Sequence, residues 1–164
     1  MTDFAALLGA LTAKGVRFIV VGGAAATAHG AARLTADLDI VYDRATDNLQ
    51  RLMDALNDRN PYLRGAPPGL PFRFSVETLR QGLNFTLTTD AGDLDLLGEI
   101  TGGGGYSELL RYTITLRPFG IECRCLGLHR LIQVKRASGR AKDWEAIAEL
   151  EALAEESPPN PSRP

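Results

Sequence analysis

Two short acidic segments carry the chemistry that this sequence offers. Asp37-Leu38-Asp39 and Asp93-Leu94-Asp95 each set two carboxylates two residues apart inside an apolar run. On a strand, residues i and i+2 project to one face, so each pair stands side by side while Leu38 and Ile40 turn the other way into a core. Adjacent carboxylates repel one another, and a cation between them removes that cost. Magnesium suits such a site, because it takes hard oxygen ligands and is often held by one or two carboxylates together with phosphate oxygens. One aspartate of the second segment completes a three-carboxylate site. Asp93 and Asp95 share a face, so spacing alone leaves the choice between them open. A single Asp-x-Asp is as readily a pair of solvated strand-end acids, but two of them on strands weigh against that reading.

Upstream, Val20-Val21-Gly22-Gly23 leads into an alanine-rich run from Ala24 to Ala32. Glycines at a strand-to-helix turn let a phosphate approach the backbone, where free N–H groups and the positive helix end meet it. The plain alternative is a tight turn. A dinucleotide fold is the competing functional reading, discounted because Gly-Gly-Ala-Ala-Ala-Thr is not the Gly-x-Gly-x-x-Gly fingerprint.

Lys135, Arg136, Arg140 and Lys142 form a basic cluster near a helix junction, suited to triphosphate or RNA phosphates, or to a solvated helix face. His29 and His129 sit in alanine-rich and apolar helices and read as structural. Trp144 reads as an anchor packing the last helix onto the body. Cys123 and Cys125 are two sulfurs, too few for structural zinc, and read as reduced thiols.

The elements that position these groups follow from periodicity and turn chemistry. Thr2 or Asp3 caps a helix to about Lys14, with Phe4, Leu7, Leu8 and Leu11 on one face. Strands are expected at 16–21, 37–42, 72–76, 83–88, 94–97, 112–116 and 121–126, and helices at 24–32, 47–57, 128–137 and 142–155. A Pro- and Gly-rich loop spans 60–71, Asp90 to Asp93 forms a hairpin turn, and the glycine run 102–105 reads as a mobile loop. This order gives an α/β or α+β fold, a mixed sheet covered by helices. Residues 1–156 read as a single domain and 157–164 as a disordered tail.

The 164 residues are 45% hydrophobic with a formal net charge of −2. That balance excludes a globally basic nucleic-acid binder and an acidic solvating chain. No stretch approaches the ~20 apolar residues of a membrane span. Asp3 stands where a signal peptide carries positive charge, so the expected location is the cytoplasm, with no membrane partner.

Val21-Gly22-Gly23, a short helix, and then Arg33-x-Thr35-x-Asp37-Leu-Asp39-Ile resembles the signature of the DNA polymerase beta-like nucleotidyltransferase superfamily. The form with Arg33 and Thr35 is similar to its small stand-alone bacterial members, including those related to toxin–antitoxin systems. Gly92-x-Leu94-Asp95-Leu-Leu-Gly98 resembles the strand that carries the third carboxylate, and Leu131 to Asp143 the C-terminal helical segment. The resemblance covers about residues 16–150. It implies a mixed sheet with helices on one face and two magnesium ions, replaceable by manganese, on Asp37, Asp39 and Asp95, which are then the catalytic residues. By motif position Asp95, rather than Asp93, is the third ligand. A nucleoside triphosphate, ATP among them, falls to Gly22, Gly23, Arg33, Thr35, Lys135 and Lys142. Arg33 is expected to pair with an aspartate of the site. Many superfamily members have Gly-Ser where this chain has Gly22-Gly23, so backbone N–H groups replace a hydroxyl.

The implied activity is transfer of a nucleoside monophosphate to an RNA end, a protein hydroxyl or a small molecule. A homodimer or a toxin–antitoxin partner is expected to complete the acceptor site. The rival from another class is a non-catalytic, antitoxin-like protein that keeps the fold and acts by contact.

Overall fold

The structure is a computed structural model that describes residues 1–32, 34–140 and 143–156. Its first half follows the chain's local signals. Helix α1 (Phe4–Ala13) starts on Asp3, whose carboxylate accepts the Ala6 N–H at 3.0 Å. It buries Leu7, Leu8 and Leu11. Strand β1 (Phe18–Val21) leads directly into α2 (Gly22–Ala28), and β2 (Asp37–Tyr42) into α3 (Thr46–Leu56). A two-residue strand β3 (Tyr62–Leu63), helix α4 (Val76–Gln81) and the hairpin β4 (Phe85–Thr89) and β5 (Gly92–Leu97) follow. The ribbon β6 (Glu99–Ile100) and β7 (Gly104–Gly105) and the short α5 (Tyr106–Leu109) lead to β8 (Thr113–Leu116) and β9 (Cys123–Leu126). Helices α6 (Leu128–Ser138) and α7 (Trp144–Glu156) close the described chain.

Seven strands form one mixed sheet in the order β3-β4-β5-β2-β1-β9-β8. Strand β2 is antiparallel to β1 and parallel to β5, with Asp37 opposite Asp93 and Asp39 opposite Asp95. The alternation works as the acidic segments require. Leu38, Ile40, Leu94 and Leu96 are fully buried, in one core with Leu49, Leu52 and Leu56 of α3 and the leucines of α1. The four acids stand on the opposite face. All four residues of β1 are buried, so cover lies on both sides of the sheet there, not on one face; α2 packs against β1 and β2. Thr2 braces the acidic end: its hydroxyl donates to Ala36 O at 2.6 Å and accepts the Asp93 N–H at 3.0 Å.

Four local expectations are corrected. Residues 72–76 form no strand. The Ser75 hydroxyl accepts the Thr78 N–H at 3.1 Å and starts α4, so a capping signal overrides the β-forming Phe and Val. The loop 60–71 contains β3, paired with β4. The glycine run is partly ordered: Gly104 and Gly105 pair with Ile100 and Glu99, and Glu108 accepts the Gly105 N–H at 3.1 Å. Trp144 is not an anchor. It is 71% exposed, while Leu150 docks α7. The hairpin turn at 90–93 is as expected, with Thr89 opposite Gly92. Both cysteines are free and buried, and no described helix is long and apolar enough to cross a membrane.

Candidate metal and nucleotide site

Parallel pairing of β2 and β5 brings Asp37, Asp39 and Asp95 together: one carboxylate oxygen from each lies within 4.8 Å of the others. Such a group can hold a metal ion. Burial pushes the Asp39 carboxyl up to about 8, with the charges of Asp37 and Asp95 adding to the effect. Asp37 is raised for the same reasons, burial first. Asp39 Oδ1 is buried and has no hydrogen-bond partner among the described residues. A buried carboxylate oxygen left bare is costly, and a hard cation is the chemical partner that satisfies it. The donor set, all carboxylate oxygen, fits magnesium or manganese in kind.

Gly22 forms the wall of this site. Its φ is +62°, and a Cβ there would collide with Asp39 Oδ2. Both the backbone conformation and the close approach therefore require glycine. Gly23 has a packing reason as well, since a Cβ would stand 2.7 Å from the Thr35 hydroxyl. That hydroxyl donates to Asp37 O at 3.1 Å and so fixes the start of β2. A cavity of about 300 Å³ opens beside Asp39, lined among others by Gly22, Gly23, Asn84, Glu99, Lys135 and Arg140. Lys135 Nζ lies 3.8 Å from Asp143, which is also paired with Arg140 at 3.1 Å. Burial works against the Asp143 charge, but Ser138, Lys135 and Arg140 hold its carboxyl below the usual range.

The structure thus gathers Asp37, Asp39, Asp95, Gly22, Gly23, Thr35 and Lys135 around one end of the sheet. Arg33 and Lys142, expected to bind nucleotide, lie outside the described residues. His29 is structural: its Nε2 meets Leu126 O at 2.9 Å, and burial lowers its pKa.

Sequence reasoning missed Arg64. Its guanidinium sits 2.8 Å from Asp95 Oδ1, 3.4 Å from Asp37 Oδ2 and 3.4 Å from Asp93 Oδ2, and donates to Leu87 O at 2.7 Å. Arg64 follows β3 in the Pro- and Gly-rich segment. Its one signal in the sequence was that four gathered acids call for a cation.

The mixed-sheet α+β fold of this chain has a counterpart among solved structures. A crystal structure from Thermotoga maritima, of a protein described as a candidate nucleotidyltransferase, matches it with a TM-score of 0.55. The two are 15% identical, over 89% of this chain and 88% of that one, so the likeness is one of fold. No family model and no curated protein matches the sequence.

Proposed function

We propose that this protein is a magnesium-dependent nucleotidyltransferase that moves a nucleoside monophosphate from a nucleoside triphosphate, such as ATP, to an acceptor hydroxyl. The meeting of Asp37, Asp39 and Asp95 around a bare buried oxygen, beside Gly22-Gly23, carries this reading. Two divalent ions bound there supply charge neutralisation for the triphosphate and a lowered pKa for the attacking hydroxyl. The chain's own residues do the positioning. Asp37, Asp39 and Asp95 hold the ions, and the Gly22 and Gly23 backbone leaves room for phosphate. Lys135 and Arg140, in the same cavity, face its negative charge. The acceptor oxygen bonds to the α-phosphorus, the bond to the bridging oxygen breaks, and pyrophosphate leaves. The triad carboxylates are the bases of this chain placed to receive the hydroxyl proton.

The acceptor belongs to one of three classes: an RNA end, a protein hydroxyl or a small molecule. We place the protein in the cytoplasm, in the toxin–antitoxin branch, with a partner chain or a second copy completing the acceptor site. The test is incubation with α-labelled triphosphates, magnesium and a cell lysate, followed by fractionation. Label should enter one fraction from the α- but not the γ-position. Asp39→Asn and Asp95→Ala should lower transfer at least about a thousandfold, or ~4 kcal/mol of barrier, and Asp93→Ala far less. Absence of label from every fraction, with each triphosphate tried, would leave the non-catalytic, antitoxin-like reading standing in its place.

A further inference from the structure

Arg64 stands where a cation is needed, and it is itself a cation. Its backbone N–H donates to Thr86 O at 3.0 Å, and its terminal nitrogen to Leu87 O at 2.7 Å, so the side chain is clamped to β4. From there one fork reaches both Asp95 and Asp37. Those two carboxylates belong to the group of three that can hold a metal. Arg64 Nε, by contrast, is buried without a hydrogen-bond partner among the described residues, although Asp93 Oδ2 is only 3.4 Å away. Asp93 is thus a third acid already within reach of the guanidinium. It lies outside the group of three and is free to receive the side chain.

We propose that Arg64 is a positioning residue that neutralises Asp37 and Asp95 when no metal is bound, competes with the ion for them, and is handed to Asp93 when the ion enters. The inference rests on the reading of Asp37, Asp39 and Asp95 as metal ligands. It assigns Asp93 a function distinct from ligation, namely receiving Arg64. It also explains how four acids tolerate one another on a folded sheet before any metal arrives.

The test is calorimetric titration of the full chain with manganese alone, without nucleotide, at fixed ionic strength, alongside thermal melting in chelator. Arg64→Gln should bind manganese about tenfold more tightly or better, and should melt lower in chelator, because a charge-assisted pair to two carboxylates is lost. Arg64→Lys keeps the charge but not the fork. It should also bind more tightly than wild type, whereas a simple charge effect would leave it unchanged. Asp93→Asn should weaken manganese several-fold, and that loss should shrink in an Arg64→Gln background, the signature of two coupled residues. Unchanged or weaker binding in both Arg64 variants overturns the inference. Asp39→Asn separates this from failure of the site itself. Manganese binding that survives Asp39→Asn, or that is absent from wild type and both Arg64 variants, overturns the metal site. Binding that is lost in Asp39→Asn yet indifferent to Arg64 overturns only the exchange.

Discussion

Strands β1 and β2 carry a charged cluster at each end, built from the same residue types to opposite effect. At one end Arg17, just before β1, meets Asp43 at 2.7 Å and takes Asp47 in a two-pronged contact at 3.0 Å. Asn48 fills the remaining valences: it accepts the Arg17 N–H at 2.7 Å and donates to Arg17 O at 3.1 Å and Asp43 O at 2.7 Å. The hydrogen bond from Arg17 holds the Asp47 carboxyl below its usual range. At the other end one arginine pairs with three of four carboxylates, the fourth, Asp39, is pushed upward in pKa, and two buried polar atoms stay bare among the described residues. A cluster that serves the fold closes its hydrogen bonds. A cluster that awaits a ligand keeps an unsatisfied surplus, which costs stability until the ligand arrives.

The sharpest way to break this contrast is to cut each cluster and compare stabilities. Asn48 is fully buried, so Asn48→Ala leaves the Arg17 N–H and the Asp43 carbonyl without their partner, while Arg17 O keeps the Asp43 N–H. It should cost about 2–4 kcal/mol, lowering the melting temperature by roughly 5–15 °C, equally with and without manganese. Asp39→Asn should leave the metal-free melting temperature unchanged or higher. An Asn48→Ala protein as stable as wild type would erase the distinction.

Gly22→Ala probes the wall between the glycine turn and the acids. The left-handed backbone makes the change cost about 1 kcal/mol, a loss of roughly 2–4 °C in chelator. The new methyl group pushes Asp39 off its position, so manganese binding measured by calorimetry should weaken by more than about tenfold. Retained affinity would mean that Asp39 binds metal from another rotamer.

The smallest effect is in pH. The Asp39 carboxyl has its native pKa raised from 3.8 to about 8, so the folded state holds a proton that the unfolded state has released. That contribution is fully present below pH 3.8 and is lost as pH rises through about 8. Metal-free melting curves should therefore fall further in wild type than in Asp39→Asn across that range. Manganese affinity should rise over the same interval, because ion and proton compete for one oxygen. Parallel pH profiles for the two proteins would place the buried charge elsewhere.

The sequence made legible whatever depends on period and local chemistry. Asp37, Asp39 and Asp95 stand out because alternation with Leu38, Leu94 and Leu96 fixes which way they point, whereas the β2–β5 pairing that brings them together is non-local. Arg64 was hidden because it reaches the acids only after β3, two residues long, pairs with β4, and no local pattern encodes that pairing. The Ser75 cap was masked by neighbouring aromatic and β-branched residues. Trp144 misled because large apolar side chains are usually buried, while α7 docks through Leu150 instead.

The parallel adjacency of β2 and β5 bears on the lifetime of the folded state. Between them the chain must lay down α3, β3, α4 and β4, so Asp39 and Asp95 become neighbours only after a long loop has closed. Before that closure the chain offers separate i, i+2 pairs and no three-carboxylate cage. A metal that needs the finished register finds nothing to grip on the way in and much to hold on the way out. Its stabilisation then falls on the unfolding rate, leaving the speed of folding untouched.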